Sequence, residues 1–285
     1  MEAFRTADGR SLAYRREGEG PVLVCHPGGP GFSSHYFHDL AGLGARFTLV
    51  MLNPRGTDGS DRPADPRAYA IEDYVTDLEE LRTHLGLERM LLLGHSHGGV
   101  VAMVYAARHP ERVERLVAAS TLARFHDVQH GAMVRGMEAK ADEPWYEDAR
   151  AALEAEQAGE WGSDEQLAEL AFREFPFYFA RYGEAEAAYL DTLRGEIPVG
   201  DALRLFNQDI LTTFDLSLEL PRITAPTLVI AGEDDFITGP VCAEEIAVGV
   251  SDARLVLLSD CGHFVFVEQP EPRRAPDLPA LTRLQ

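Results

Sequence analysis

Apolar positions along this chain follow two rhythms. Short continuous runs occur at residues 21–25 (Pro-Val-Leu-Val-Cys), 47–52, 90–93, 113–119, 226–231 and 253–258. Runs of that length, rich in Val, Leu and Ile, are expected of strands buried on both faces. Between them Ile71, Tyr74, Val75, Leu78, Leu81 and Leu85 recur at helical spacing, and Gly86 follows as a C-terminal stop. Residues 4–16 turn at Asp8-Gly9 and read as a hairpin. The order to residue 119 is therefore βαβαβ, which predicts an α/β fold with a mostly parallel sheet and helices on both faces.

The rhythm breaks at about Leu122. From there to Leu220 the chain is rich in Ala, Glu, Leu and Arg and holds no convincing buried strand. A helical insert between strands of one sheet must lie over an end of that sheet. We therefore expect a core of residues 1–121 and 221–285 and a helical cap of residues 122–220. The aromatic group Phe172, Phe175, Phe177, Tyr178 and Phe179 is expected to form cap core more than pocket wall. A helix is expected over 241–248. The tail from Pro270 to Gln285 is broken by proline and is expected to be loosely ordered.

Composition narrows the function. The 285 residues carry a net charge of -21, which argues against nucleic-acid binding and mildly favours cationic substrates. Lys140 is the only lysine. Cys25, Cys242 and Cys261 are scattered without metal spacing, as expected of reduced thiols in a cytoplasmic protein. No basic-then-apolar leader opens the chain, and no apolar run approaches the ~20 residues of a membrane span. Neither a metal-ligand cluster nor a nucleotide-binding loop is found, so no cofactor is expected.

One stretch carries chemistry. The run 90–93 ends in Gly94-His95-Ser96-His97-Gly98, and a helix-compatible segment follows. A Gly-x-Ser-x-Gly between strand and helix forces the serine into a strained turn and lifts its hydroxyl above the sheet edge. Serine at its ordinary pKa is a poor nucleophile and needs a base held by an acid. In an open parallel sheet such groups gather at the carboxyl ends of strands. Ser96, then Glu233/Asp234/Asp235, then His263 end successive strands in the chain order expected of this turn. We take His263 as the base, since it alone among ten histidines follows a late strand and an acid. Asp235 is preferred as the acid, with Asp234 second and Glu233 third. An acyl-transfer oxyanion needs two preorganised donors. The N–H of His97 is one. The other is expected from the loop His26-Pro-Gly-Gly-Pro-Gly31, at Gly29 first and Gly28 second.

With these residues the chain resembles the α/β-hydrolases over essentially its full length, and within them the prolyl iminopeptidases. Their glycine loop reads His-Gly-Gly-Pro-Gly, and residues 26–31 differ by one extra proline. Their acid lies in Gly-x-x-Asp, matched by Gly232 and Asp235, and their base follows a glycine, as His263 follows Gly262. Asn53-Pro-Arg-Gly56 and Asp58-Gly-Ser60 are similar to the segment after their next strand. The chain departs where some members carry a glutamate after the acid, since Phe236 stands here, and their final helix is poorly represented after Glu268.

The resemblance implies a serine hydrolase without metal that cleaves an amide bond after a free N-terminal proline or other small residue. The substrate would be a short peptide or an aminoacylated small molecule. Family members hold the free amino group with cap carboxylates, which implies Glu174, in Glu174-Phe-Pro-Phe-Tyr-Phe179, and second Asp209. An esterase or lactonase on the same scaffold is the alternative, and a non-catalytic ligand receptor the remote one.

Overall fold

A computed structural model of the protein describes residues 1–269. The tail expected to be loosely ordered lies outside the described residues. Eight strands form one sheet in the order β1-β2-β4-β3-β5-β6-β7-β8. The strands are β1 (Glu2–Arg5), β2 (Ser11–Glu17), β3 (Val22–His26), β4 (Thr48–Leu52), β5 (Met90–His95), β6 (Val113–Ala119), β7 (Thr227–Gly232) and β8 (Ala253–Leu258). β1 and β2 form the expected hairpin, with Phe4 opposite Leu12, and β2 pairs antiparallel with β4. All other neighbours are parallel, and β5 lies between β3 and β6.

The runs of β3 to β7 are continuous because these central strands are covered on both sides. Alternate residues Val24, Val50, Leu92, Leu116 and Val229 enter one core with Tyr74, Leu78 and Val101. Their neighbours Leu23, Met51, Leu93, Val117 and Ile230 enter a second core with Phe37, Leu190 and Phe264. Helix α1 (Ile71–His84) spans the predicted periodic segment and stops at Gly86, whose φ of 68° favours glycine. Helix α2 (His97–Arg108) follows β5 and is buried along nearly its whole length.

Between β6 and β7 the described elements are helical. They are α3 (Asp127–Glu138), α4 (Tyr146–Gln157), α5 (Asp164–Glu174), α6 (Glu184–Thr192) and α7 (Gly200–Leu205), the last continued by a π-helical turn, Phe206–Ile210. Helix α8 (Pro240–Gly249) covers the predicted 241–248, and α9 (Val265–Glu268) is a single turn. All three cysteines are buried and free. Among the described residues no helix is long and apolar enough to cross a membrane.

Candidate active site

β5 ends beside β3 and β6, in register with His26 and Ala119, so the turn after it opens at the middle of the sheet edge. Ser96 occupies that turn with φ 55° and ψ -124°. An L residue seldom adopts φ of that sign, and the surroundings hold it there. The Ser96 N–H donates to Ala119 O at 2.9 Å, and Thr121 Oγ1 donates to Ser96 O at 2.7 Å. The flanking glycines are required by close approach. A Cβ on Gly94 would lie 2.2 Å from Gly98 O, and one on Gly98 would lie 2.2 Å from His26 O. Helix α2 starts directly after the serine, at His97.

His263 and Asp235 meet as the sequence order suggested. His263 Nδ1 lies 2.9 Å from Asp235 Oδ2, with both side chains buried. Asp235 Oδ2 also accepts from Thr238 Oγ1 at 2.8 Å, and its Oδ1 accepts from the N–H groups of Ile237 (3.0 Å) and Thr238 (3.1 Å). Burial alone would raise this carboxyl. The imidazole and the Thr238 donors outweigh burial and hold it below its ordinary value. With Asp235 as acceptor, Nδ1 carries the proton and Nε2 is left as acceptor. Asp234 and Glu233 are exposed and make no such contact: their backbone N–H groups donate to Cys261 O and Leu258 O, respectively. The histidines beside the serine turn elsewhere. His95 bridges the Tyr36 hydroxyl and His263 O, while His97 packs against Tyr74 and Phe206.

The glycine loop faces the same point. The Gly28 N–H donates to the Tyr36 hydroxyl at 2.5 Å. Gly29, φ 119°, lines both cavities that adjoin Ser96, which favours it over Gly28 as a donor. His97 opens α2, so its N–H has no acceptor within the helix.

Glu174 lies where the sequence reading put it and Asp209 does not. Ser96, His263, Gly28 and Gly29 line a cavity of about 90 Å³ whose far wall holds Glu174 and Glu156. Asp209 is exposed on the π-helical turn and lines neither cavity at Ser96; Asn207, two residues earlier on the inward side, reaches Glu156 instead. The second carboxyl lining that cavity is therefore Glu156, not Asp209. The signal was present: Glu156 continues the buried stripe Ala149, Ala152, Leu153 of α4, and Glu174 continues Leu167, Ala171 of α5. A carboxyl on the apolar stripe of a helix is unusual.

Burial pushes Glu156 up to about 7, opposed by a 2.7 Å bond from Asn207. Glu174 is pushed well up, by burial first and the neighbouring Glu156 second, with the Tyr178 hydroxyl opposing. Glu174 Oε2 has no hydrogen-bond partner among the described residues. The rest of the wall is aromatic, with Phe32, Phe175, Tyr178 and Phe264. Tyr178 thus belongs to the pocket wall as well as to the packed aromatic group. Among the described residues no three His, Cys, Asp or Glu side chains converge as a metal site.

Comparison with known proteins agrees with this architecture. Residues 21–270 match the family model described as alpha/beta hydrolase fold. The chain belongs to this hydrolase family. It is 30% identical to a proline iminopeptidase of Lactobacillus helveticus, across 92% of this chain and 91% of that one. Among solved structures it is similar to a hydrolase from Pseudomonas aeruginosa PA01, with a TM-score of 0.69, 29% identity and coverage of 98% and 97%. It is also similar to the enol-lactonase of Burkholderia xenovorans LB400, with a TM-score of 0.68, 25% identity and coverage of 99% and 100%.

Proposed function

We propose that this hydrolase cleaves the amide bond after a free N-terminal proline or other small residue, through an acyl-enzyme on Ser96. Ser96 Oγ attacks the carbonyl and His263 Nε2 takes its proton. Asp235 holds Nδ1–H and stabilises the imidazolium. The N–H groups of Gly29 and His97 receive the oxyanion. His263 then gives the proton to the leaving amine, and water repeats the sequence to release the acid. Helices α3–α7 act as a cap, residues 122–220, over a core of residues 1–121 and 221–285.

The observation that carries the reading is the Glu174–Glu156 pair in the cavity that Ser96 lines. Two adjacent buried carboxyls are costly to ionise, and a bound ammonium offsets that cost. The iminopeptidase relative supports the same substrate. A second reading, an esterase or lactonase, is favoured by the aromatic wall and by the likeness to the enol-lactonase, since a protonated pair suits a neutral acyl group.

A panel of aminoacyl-naphthylamides and simple esters separates the two. Glu174→Gln is expected to cost about 2–4 kcal/mol in kcat/KM for free-amine substrates and far less for N-acetylated or ester substrates. Equal losses on both classes reject the amine site. Failure of a fluorophosphonate to label Ser96 rejects the acyl-enzyme and returns the chain to a non-catalytic receptor.

A further inference from the structure

Ser96 stands between two cavities, and the amine reading uses only the smaller. The second has about 350 Å³ and shares Gly29, Ser96, Glu156 and Tyr178 with the first. Its walls include Phe125, Met133, Leu153, Phe206 and Leu211. That size and apolar character are those of a small-molecule site. One wall residue, Gln129, is 3% exposed. Its Nε2 donates to Ile237 O at 2.9 Å. A backbone carbonyl can only accept, so this bond fixes the amide's orientation. Gln129 Oε1 is then left buried with no partner among the described residues. A buried acceptor without a donor costs about 1–3 kcal/mol.

We propose that this second cavity receives the leaving group. We further infer that Gln129 Oε1 selects leaving groups that carry an N–H or O–H donor beside apolar bulk, and rejects a carboxylate. The inference rests on the acyl-enzyme reading above. With the acyl residue and its ammonium against Glu174, the bond broken at Ser96 must project its other half into the larger cavity. There the Ser96 Oγ–carbon bond forms and the carbon–nitrogen bond breaks. The serine proton reaches the leaving nitrogen through His263, and the amine departs neutral.

The substrate class follows from the walls. A large apolar second residue fills the cavity, and a peptide bond or carboxamide after it presents an N–H to Gln129. A dipeptide would instead present an α-carboxylate. That group has acceptors only, and at Gln129 it would meet an oxygen, with Glu156 on the same wall; of the donor-capable wall residues His130, Gln157, Asn207 and Thr238, Asn207 is already bonded to Glu156 and Thr238 to Asp235.

The test compares prolyl-phenylalaninamide with prolyl-phenylalanine on the wild-type protein, with proline methyl ester as reference. The amide is expected to exceed the free acid at least about tenfold in kcat/KM, and Gln129→Met is expected to narrow that gap several-fold. Met133→Trp, which fills the cavity, is expected to raise the ratio of methyl ester to prolyl-phenylalaninamide turnover about tenfold. Free acid and amide turned over alike by the wild type overturn the proposal without any variant. So does an equal loss on ester and amide in a Met133→Trp protein of wild-type melting temperature. If only simple esters react, the amine reading has failed and this one is still decided. 4-Carbamoylbenzyl acetate must then exceed 4-carboxybenzyl acetate about tenfold, and equal rates overturn it.

Discussion

Replacing Glu156 by glutamine removes one of the two buried carboxyls and keeps its size and its bond from Asn207. Burial pushes the Glu156 carboxyl from 4.5 up to about 7. Over that interval the folded protein keeps a proton that the unfolded chain has released. For a group raised on folding, the contribution to stability is fully present below pH 4.5 and is lost as pH rises through 7. At about 1.4 kcal/mol per pH unit the loss reaches about 3 kcal/mol by pH 8. Glutamine has no charge to desolvate. The variant should therefore be more stable than wild type by about 3 kcal/mol at pH 8 and nearly equal to it at pH 4.5. Parallel urea denaturation at the two pH values measures this: the titrating groups other than Glu174 are shared and cancel, and Glu174, relieved of the Glu156 charge that helps push it up, adds to the gain at pH 8 in the same direction. Pyrrolidine at saturating concentration should shrink the gap at pH 8, since its ammonium binds the ionised pair of the wild type. A difference that is the same at both pH values, or a variant less stable at pH 8, would refute the reasoning.

Three further outcomes can be checked directly. Ser96→Ala should leave a folded protein with kcat at least roughly a thousandfold lower, and retention of most activity would put the nucleophile elsewhere. Asp235→Asn must turn its amide nitrogen either towards the Ile237 and Thr238 N–H groups or towards His263 Nδ1. The first clashes donor with donor and the second selects the wrong imidazole tautomer, so kcat should fall by about a thousandfold or more, with KM nearly unchanged. Lys140→Met removes two bonds from Nζ, to Phe177 O at 3.0 Å and to Phe179 O. Its kcat should fall about tenfold and its thermal stability by about 2 kcal/mol, read by steady-state kinetics and melting.

What the sequence disclosed was what the chain decides locally. The central strands β3 to β7 were legible because they are buried on both faces. The serine turn was legible because Gly94 and Gly98 are demanded by backbone packed so closely that a Cβ at either position would lie 2.2 Å from a carbonyl oxygen. The Asp235–His263 pairing was legible from chain order, since both follow strands that end at one edge of the sheet. The far wall of the cavity was not, because α4, α5 and the π-helical turn approach one another only through tertiary packing. Sequence distance from Glu156 to Asn207 is 51 residues, and nothing local announces that bond. Asp209 has the right charge but the wrong helical phase, since two residues of turn separate its exposed position from Asn207, which reaches the interior. Phe236, the departure from the family pattern, is used for packing: its ring meets Phe177 and Tyr178.

The same stretch, residues 177–180, ties the substrate wall to the base. The His263 N–H donates to Tyr178 O at 2.7 Å, and the Tyr178 ring stands edge-on to the imidazole with centroids 5.4 Å apart. On either side of that carbonyl, Phe177 O and Phe179 O accept from Lys140. One residue further, the Ala180 N–H donates to Glu268 Oε2 at 2.7 Å, while Glu268 Oε1 accepts from the Gly262 N–H at 2.8 Å. Burial pushes Glu268 up to about 7, and Lys140 opposes that rise; burial in turn pushes Lys140 down, and Glu268 opposes it. The two half-buried groups thus support each other's charge while holding one short segment, Lys140 at residues 177 and 179 and Glu268 at residue 180. Tyr178 also lies beside Glu174. A displacement of that segment must therefore move the carboxyl wall and the His263 backbone together. Under the proposed amine reading, the site must align an amine, a carbonyl and a base at once, and such shared anchoring would keep their distances fixed.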